Sequence, residues 1–326
     1  MKVQDIMNEK SIMSTIDHPF TTKLIKTFQD KTNLYMLVEM CHGETLEDLL
    51  LRSPNKVLAS KTCLFIAACV VEALDYLHQY NIGHRDIKPS NITIKDNGYC
   101  MLTGFDVGKT LLTYYIYNIH IHQFYLLLKS NLARTFYDGA CFSFHGTPFY
   151  MAPDILSRKG NLVEIMLMLI NVCYNRVYIC IVGYDHCVDY WSLGVIIFEM
   201  SVGRRPFHED EEFELLRLIT RFDYTVPSSI PEDTNEIIKR LLVKRRKRLG
   251  AGPSGASEIK KHEYFDEIDW DALYQMKTKS PIQTANRCYR ERQKVLSIPF
   301  PLFSKKQQSE VKSSISHHLQ ALIADF

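Results

Sequence analysis

Nine cysteines are scattered through the 326 residues without a single C-x-x-C pair, and their number is odd. That spacing excludes a disulfide framework and the usual zinc sites, and it points to a reducing compartment. Excess charge of one sign is also missing: 39 Lys plus Arg stand against 37 Asp plus Glu, a formal net charge of +2. A dedicated nucleic-acid binder carries a strong basic excess, so nucleic acid is not an expected partner. The N-terminal MKVQDIMNEKS has charges and no apolar core, so no secretory signal is expected. What remains is a globular balance: 46% hydrophobic, 23% charged and 11% aromatic residues. A chain of this length can bury one large core or two lobes.

Along the chain, Val3, Ile6, Met7, Ile12 and Met13 recur at mostly helical spacing, which predicts an amphipathic helix over 1–15. Residues 23–29 and 34–40 read as strands about a polar turn. Helices are expected from Thr45 to about Leu51 and from Lys61 to Tyr80, the second with Leu64, Ala67, Ala68, Val71, Leu74 and Leu77 on one buried face. Short apolar runs at Ile92–Ile94 and Tyr99–Thr103 flank Asp96-Asn97-Gly98, a hairpin signal. Tyr190 to Met200 is almost wholly apolar and predicts a helix buried on all sides. Amphipathic helices should follow to about Phe265, then a polar tail.

Two stretches break this rhythm. Residues 110–128 contain no Asp, Glu, Lys or Arg, and 161–182 contain only Glu164 and Arg176. Each has the length of a membrane span, but the first is studded with Tyr, His, Asn and Gln and the second carries two charges, so no span is expected. Long apolar loops are rare in compact domains and invite aggregation. Both stretches are rich in Ile, Tyr, Asn, Leu and Phe, whose codons are A/T-rich, the composition of retained introns in an incomplete gene model. Genuine surface loops are the alternative.

The chemistry is concentrated in His84-Arg85-Asp86-Ile87-Lys88-Pro89-Ser90-Asn91. A carboxylate, an amine two residues on and an amide five residues on can surround a transferring phosphoryl group. The carboxylate takes a hydroxyl proton, the amine neutralises phosphate charge and the amide oxygen holds a cation. With this motif the chain resembles a eukaryotic protein kinase. Further matches are Gly146-Thr147-Pro148-Phe149-Tyr150-Met151-Ala152-Pro153-Asp154, Asp189-Tyr190-Trp191-Ser192-Leu193-Gly194 and Lys247-Arg248-Leu249-Gly250. The wording NLYMLVEM, GTPFYMAP, DYWSLGVIIFEM and KKHEYFDEIDW is most similar to the AGC group, near the cyclic-nucleotide-dependent kinases.

That resemblance implies a bilobal α+β fold, with a small-lobe remnant at 1–40, a large lobe at 41–265 interrupted at 110–128 and 161–183, and an AGC-like tail at 266–326. It implies ATP and Mg²⁺ as cofactors and phosphorylation of protein Ser/Thr, with Lys88 the mark of a Ser/Thr rather than a Tyr kinase. Asp86 would be the base, Lys88 the phosphate contact and Asn91 a metal ligand. Glu9 would be the ion-pairing glutamate of the small-lobe helix, Val38 the gatekeeper, Glu39 to Cys41 the adenine-reading hinge, and Glu44 a ribose or substrate contact. Ser143 aligns with the activation-loop phosphosite and would pair with Arg85 once phosphorylated. His84, Arg85, Thr147, Asp154, Asp189 and Arg248 would be structural, Arg248 pairing with Asp154.

Three departures set limits on that reading. No glycine-rich loop or phosphate-clamping lysine precedes Glu9. Gly104 stands where the family has its metal-binding aspartate, unless Asp106-Val107-Gly108 acts as a motif slipped by two residues, which preserves strand facing. The two apolar stretches interrupt the activation segment and the link to the Asp189 helix. The expectation is an impaired kinase, with a catalytically inactive protein-binding pseudokinase as the alternative. For peptide preference, Ser90 and Arg217 stand where arginine-directed relatives carry acids. Gly250-Ala251-Gly252-Pro253-Ser254-Gly255 follows a basic segment rather than a strand and is rejected as a nucleotide loop. The expected location is the cytoplasm; the basic run Lys244 to Arg248 leaves the nucleus open. The sequence gives no oligomeric state.

Overall fold

Helix α1 (Val3–Thr15) turns its last apolar residues inward, and Ile12 and Met13 are buried together with the following Ile16. Strands β1 (Leu24–Gln29) and β2 (Leu34–Val38) pair antiparallel, with Phe28 stacked on Tyr35 at 4.9 Å. The computed structural model describes residues 3–29, 33–41, 43–105, 109–110, 116–120, 146–156, 172–173, 176–180 and 186–282. After β3 (Glu44–Thr45), helix α2 (Leu46–Arg52) starts with a capping box. The Thr45 hydroxyl accepts from Asp48 N–H at 3.1 Å, and the Asp48 carboxylate accepts from Thr45 N–H at 3.0 Å. Two orphan amides are thereby satisfied.

Helix α3 (Ser60–Gln79) was expected to be a buried helix, from the apolar residues on one of its faces. It buries nearly all of its circumference, including Phe65, Ile66, Cys69, Val70 and Ala73, while Leu64 is only partly covered. The reason is tertiary. The hairpin β5 (Ile92–Ile94)–β6 (Cys100–Leu102), helix α5 (Cys187–Val202) and helix α8 (Ala256–Lys260) all pack against it. Before that hairpin, β4 (Ile82–Gly83) pairs with β7 (Lys109–Thr110), and β3 joins the hairpin in the order β3-β5-β6. α5 has Trp191, Leu193, Val195, Ile196, Ile197 and Phe198 without solvent exposure, as its continuous apolar sequence requires.

Parts of the two apolar stretches lie in one small antiparallel sheet. Strand β8 (Ile116–His120) pairs with β10 (Arg176–Cys180), which also takes β9 (Val172–Cys173). Among the described residues, no helix is long and apolar enough to cross a membrane. Helices α4 (Pro153–Leu156), α6 (Glu212–Arg221) and α7 (Glu232–Leu241) complete the helical part with α9 (Trp270–Tyr274). The chain stays packed beyond Phe265: Tyr99 donates to the Thr278 carbonyl at 2.6 Å, and Ile282 is buried.

His18 follows α1, stacked on Tyr76 at 4.5 Å, and its Nδ1 accepts from Phe20 N–H at 3.3 Å. Burial first, and the Lys260 charge second, lower its pKa from 6.5 to about 4, against a small opposing effect of Asp75. The folded value is below the unfolded one, so this stabilisation is complete above pH 6.5 and is lost as pH falls toward 4. A His18→Phe variant should therefore lose less stability than the parent over that window, by about 1–3 kcal/mol. Urea titrations at a series of pH values check this; parallel curves for the two proteins refute it.

Candidate active site

Asp86, Lys88 and Asn91 lie on the loop between β4 and β5, and the loop hangs from Asp189 near the start of α5. The Asp189 carboxylate accepts from His84 N–H at 2.9 Å and from Arg85 N–H at 2.7 Å. His78, at the end of α3, meets it with Nε2 at 2.9 Å and turns Nδ1 to the Tyr190 hydroxyl, also at 2.9 Å. Asp189 is fully buried. Burial by itself would raise its pKa, but the His78 and His84 rings and the Arg85 amide hold it below the ordinary aspartate value. Arg85 takes φ +70°, a left-handed turn that these hydrogen bonds support.

The His84 ring is buried, reaching the Thr103 carbonyl through Nε2 at 2.9 Å and accepting from Asp86 N–H at Nδ1 at 3.3 Å. Its face meets Phe105 at 4.9 Å. This geometry ties the imidazole to the backbone on both sides and leaves Asp86 as the carboxylate of the loop.

Asp86 is held by four donors. Oδ1 accepts from Thr147 N–H at 3.0 Å and from the Thr147 hydroxyl at 2.9 Å; Oδ2 accepts from Asn91 Nδ2 at 2.9 Å and from Lys88 Nζ at 2.7 Å. Lys88 also donates to the Thr147 hydroxyl at 2.9 Å. Burial raises the Asp86 pKa, and Lys88 and Thr147 more than offset that, so it lies below the ordinary value. Asp86 is therefore ionised at neutral pH. Gly146 makes the approach possible: at φ +121°, a Cβ there would stand 2.9 Å from the Arg85 carbonyl.

Asn91 donates through Nδ2 to the Asp86 carbonyl at 2.8 Å as well, which turns its Oδ1 away from the carboxylate. Gly104 faces it. Its φ is +75°, and a Cβ at this position would lie 2.8 Å from the Asn91 carboxamide carbon. A side chain at 104 would thus be aimed at Asn91, and glycine supplies none. Among the described residues there is no cluster of three or more His, Cys, Asp or Glu that could hold a metal ion. One amide oxygen is a poor Mg²⁺ site, since that cation prefers carboxylates, so the described residues do not by themselves make up the metal site of the family reading. Asp106 and Ser143 lie outside the described residues.

Glu9 is half-buried on α1. Val38 is 37% exposed at the end of β2, and Cys41 is half-buried. Glu39 uses its N–H on the Lys23 carbonyl at 2.8 Å, and its carboxylate lies 3.8 Å from Lys95 Nζ. Glu44 is gripped by Arg52, whose Nε donates to Oε2 at 2.8 Å and Nη2 to Oε1 at 2.5 Å. Arg248 is buried and donates to Asp154 at 2.6 Å, to the Cys187 carbonyl at 2.9 Å and to the Val243 carbonyl at 3.1 Å. His78 and Arg52 were not visible as site residues from the sequence. His78 lies 111 positions from Asp189, and nothing local marks either pairing.

The protein kinase domain family matches residues 1–166 and 178–265, leaving out part of the second apolar stretch. A cAMP-dependent protein kinase catalytic subunit of Dictyostelium discoideum is 32% identical over 281 residues, 86% of this chain and 36% of that protein. A human cAMP-dependent protein kinase catalytic subunit is 32% identical over 280 residues, 86% of this chain and 64% of the relative. A cGMP-dependent protein kinase of Drosophila melanogaster is 33% identical over 285 residues, 86% of this chain and 25% of its own length. The chain thus spans less than two thirds of each of these relatives.

Proposed function

The chain belongs to the protein kinase family, with AGC-group relatives and that family's bilobal α+β fold, and on this premise we propose that it is an impaired ATP-dependent serine/threonine kinase acting on protein substrates. The observation that carries the reading is the Asp86–Lys88–Asn91–Thr147 constellation, in which an ionised carboxylate is fixed by a lysine, an amide and a threonine. ATP would supply the phosphoryl group. Asp86 Oδ1, now held by the Thr147 hydroxyl, is where a substrate hydroxyl would place its proton. Lys88, a quarter exposed, would neutralise charge on the transferred group and keep Asp86 ionised. Val38, Glu39 and Cys41 would border the adenine.

The impairment follows from Gly104. Phosphoryl transfer relies on charge stabilisation, and members of one constellation lose rate together. Purified protein with Mg-ATP and Ser/Thr peptides should transfer phosphate at least about a hundredfold below the ~1–100 s⁻¹ of ordinary kinases. Ordinary turnover that is abolished by Asp86→Asn would overturn the impairment.

A second reading, a non-catalytic docking module in the cytoplasm, is favoured by one observation. The Asp189 anchor and the Arg248–Asp154 pair are complete in a chain whose metal-facing position is glycine. Mg-ATP should raise the thermal midpoint if the chain binds nucleotide, because a ligand specific for the folded state adds to its stability. An unmoved midpoint favours the module.

A further inference from the structure

Seven of the ten residues 239–248 are Lys or Arg, and none is acidic. The fold keeps them together. Lys239 and Arg240 end α7, and Lys244, Arg246 and Lys247 lie on the short turn that follows. That turn is tied back to the helix end: Leu249 N–H donates to the Arg240 carbonyl at 3.0 Å, and Lys247 N–H to the Lys244 carbonyl at 2.8 Å. Buried Arg248 fixes it further, donating to the Val243 carbonyl at 3.1 Å and to Asp154. Lys239, Arg240, Lys244, Arg246 and Lys247 are all exposed, and no ion pair among the described residues includes one of them. The helix dipole favours cations only in the last turn, which accounts for Lys239 and Arg240. Lys244, Arg246 and Lys247 lie beyond it, so their mutual repulsion is left for an outside anion to relieve.

We propose that this basic turn is a docking surface for a short acidic segment of a partner protein, separate from the Asp86 constellation. The surroundings limit what the anion can be. α7 begins with Glu232 and Asp233, both exposed, Glu232 lying about 12 Å along the axis from Arg240. Exposed Glu263 stands on the turn Glu263–Phe265, which packs against α7. With a Debye length of about 8 Å at physiological salt, these acids confine the positive field to the patch and repel a wider polyanion. A membrane surface or a nucleic-acid duplex would meet acids and bases together, on a chain whose net charge is only +2. None of the large exposed apolar side chains lies between 231 and 262, so lipid insertion and base stacking have no anchor there. An extended import signal would need the run to leave the fold, and Arg248 is held in it by Asp154. Because hydrogen bonds already fix the backbone of the turn, a run of carboxylates binds it at lower ordering cost, and Arg240 and Arg246 can take carboxylates bidentately. The proposal does not depend on whether Asp86 transfers phosphate.

Fluorescein-labelled oligoglutamate and oligoglutamine peptides of equal length, titrated into the 326-residue protein and followed by anisotropy, test this. The glutamate peptide should bind at least about tenfold more tightly, and should weaken as salt rises. The triple variant Lys244→Glu, Arg246→Glu, Lys247→Glu should weaken it at least about tenfold. A matched variant, Lys26→Glu, Lys61→Glu, Lys279→Glu, changes the net charge equally at exposed lysines elsewhere and should weaken it less than about twofold. Removing the bordering acids, Glu232→Gln with Asp233→Asn, should tighten binding at least about twofold, a gain that misfolding cannot produce. Equal losses in the two triple variants, or a parent that does not prefer the glutamate peptide, overturn the proposal. So does tighter, patch-dependent binding of duplex DNA, or of phosphatidylcholine vesicles with about 30% phosphatidylserine, which would make a nucleic acid or a membrane the occupant.

Discussion

Asp189→Ala should cost about 3–5 kcal/mol, the penalty for removing one member of a buried charged hydrogen-bond network. The carboxylate is the acceptor for both the His84 and Arg85 amides and for His78 Nε2, at 2.7–2.9 Å. Its removal leaves two buried amides without their acceptor and removes the support for the left-handed Arg85. Since most single domains hold only about 5–15 kcal/mol in total, a large part of the population should unfold or aggregate. Urea denaturation measures this directly. Asp189→Asn, which keeps one carbonyl acceptor, should retain more stability than the alanine. The folded pKa of Asp189 is depressed below its ordinary 3.8, so the stabilisation is present above that value and is lost as pH falls through the folded pKa. The alanine penalty should accordingly stay constant from about pH 5 to pH 8. A loss under about 1 kcal/mol would show that the loop has another anchor.

Gly104→Asp should have the largest effect on chemistry. The backbone there is left-handed at φ +75°, and the new Cβ would meet the Asn91 carboxamide at 2.8 Å. Asp tolerates this region better than most residues, so the metal-free variant should be less stable than the parent by about 1–2 kcal/mol. Millimolar Mg²⁺ should restore that loss in the variant and leave the parent's melting temperature where it was. A carboxylate and the Asn91 oxygen then converge on one cation, the kind of oxygen donor set that Mg²⁺ accepts. Phosphate transfer should rise about 10²–10³-fold, the scale of one restored electrostatic stabiliser. If the variant responds neither to Mg²⁺ nor in rate, glycine at 104 is not what limits the chain, and the docking reading gains. If the parent itself responds to Mg²⁺, another ligand is present, with Asp106 the first residue to replace.

Much of the architecture was legible in advance where the signal is local. The helix over Val3–Thr15, the hairpin about Asp96-Asn97-Gly98 and the buried helix from Cys187 all follow from periodicity and turn chemistry. Helix α3 shows where this stops. Its sequence announces a buried helix but not its partners, the three separate elements that converge on it from distant parts of the chain.

The same division holds at the site. The sequence by itself determined the family, the order Asp86, Lys88, Asn91 and the glycine at 104, since each depends only on which residue type occupies a short stretch. The tertiary structure decided how those residues are used. Thr147 closes on Asp86 across 61 positions, His78 supports Asp189 across 111, and Arg52 takes the carboxylate of Glu44 that the motif alone left free for ribose or substrate. Hydrogen bonds and charge pairs act over a few ångströms of space, and chain separation carries no record of that distance. Only folding sets which groups come within it.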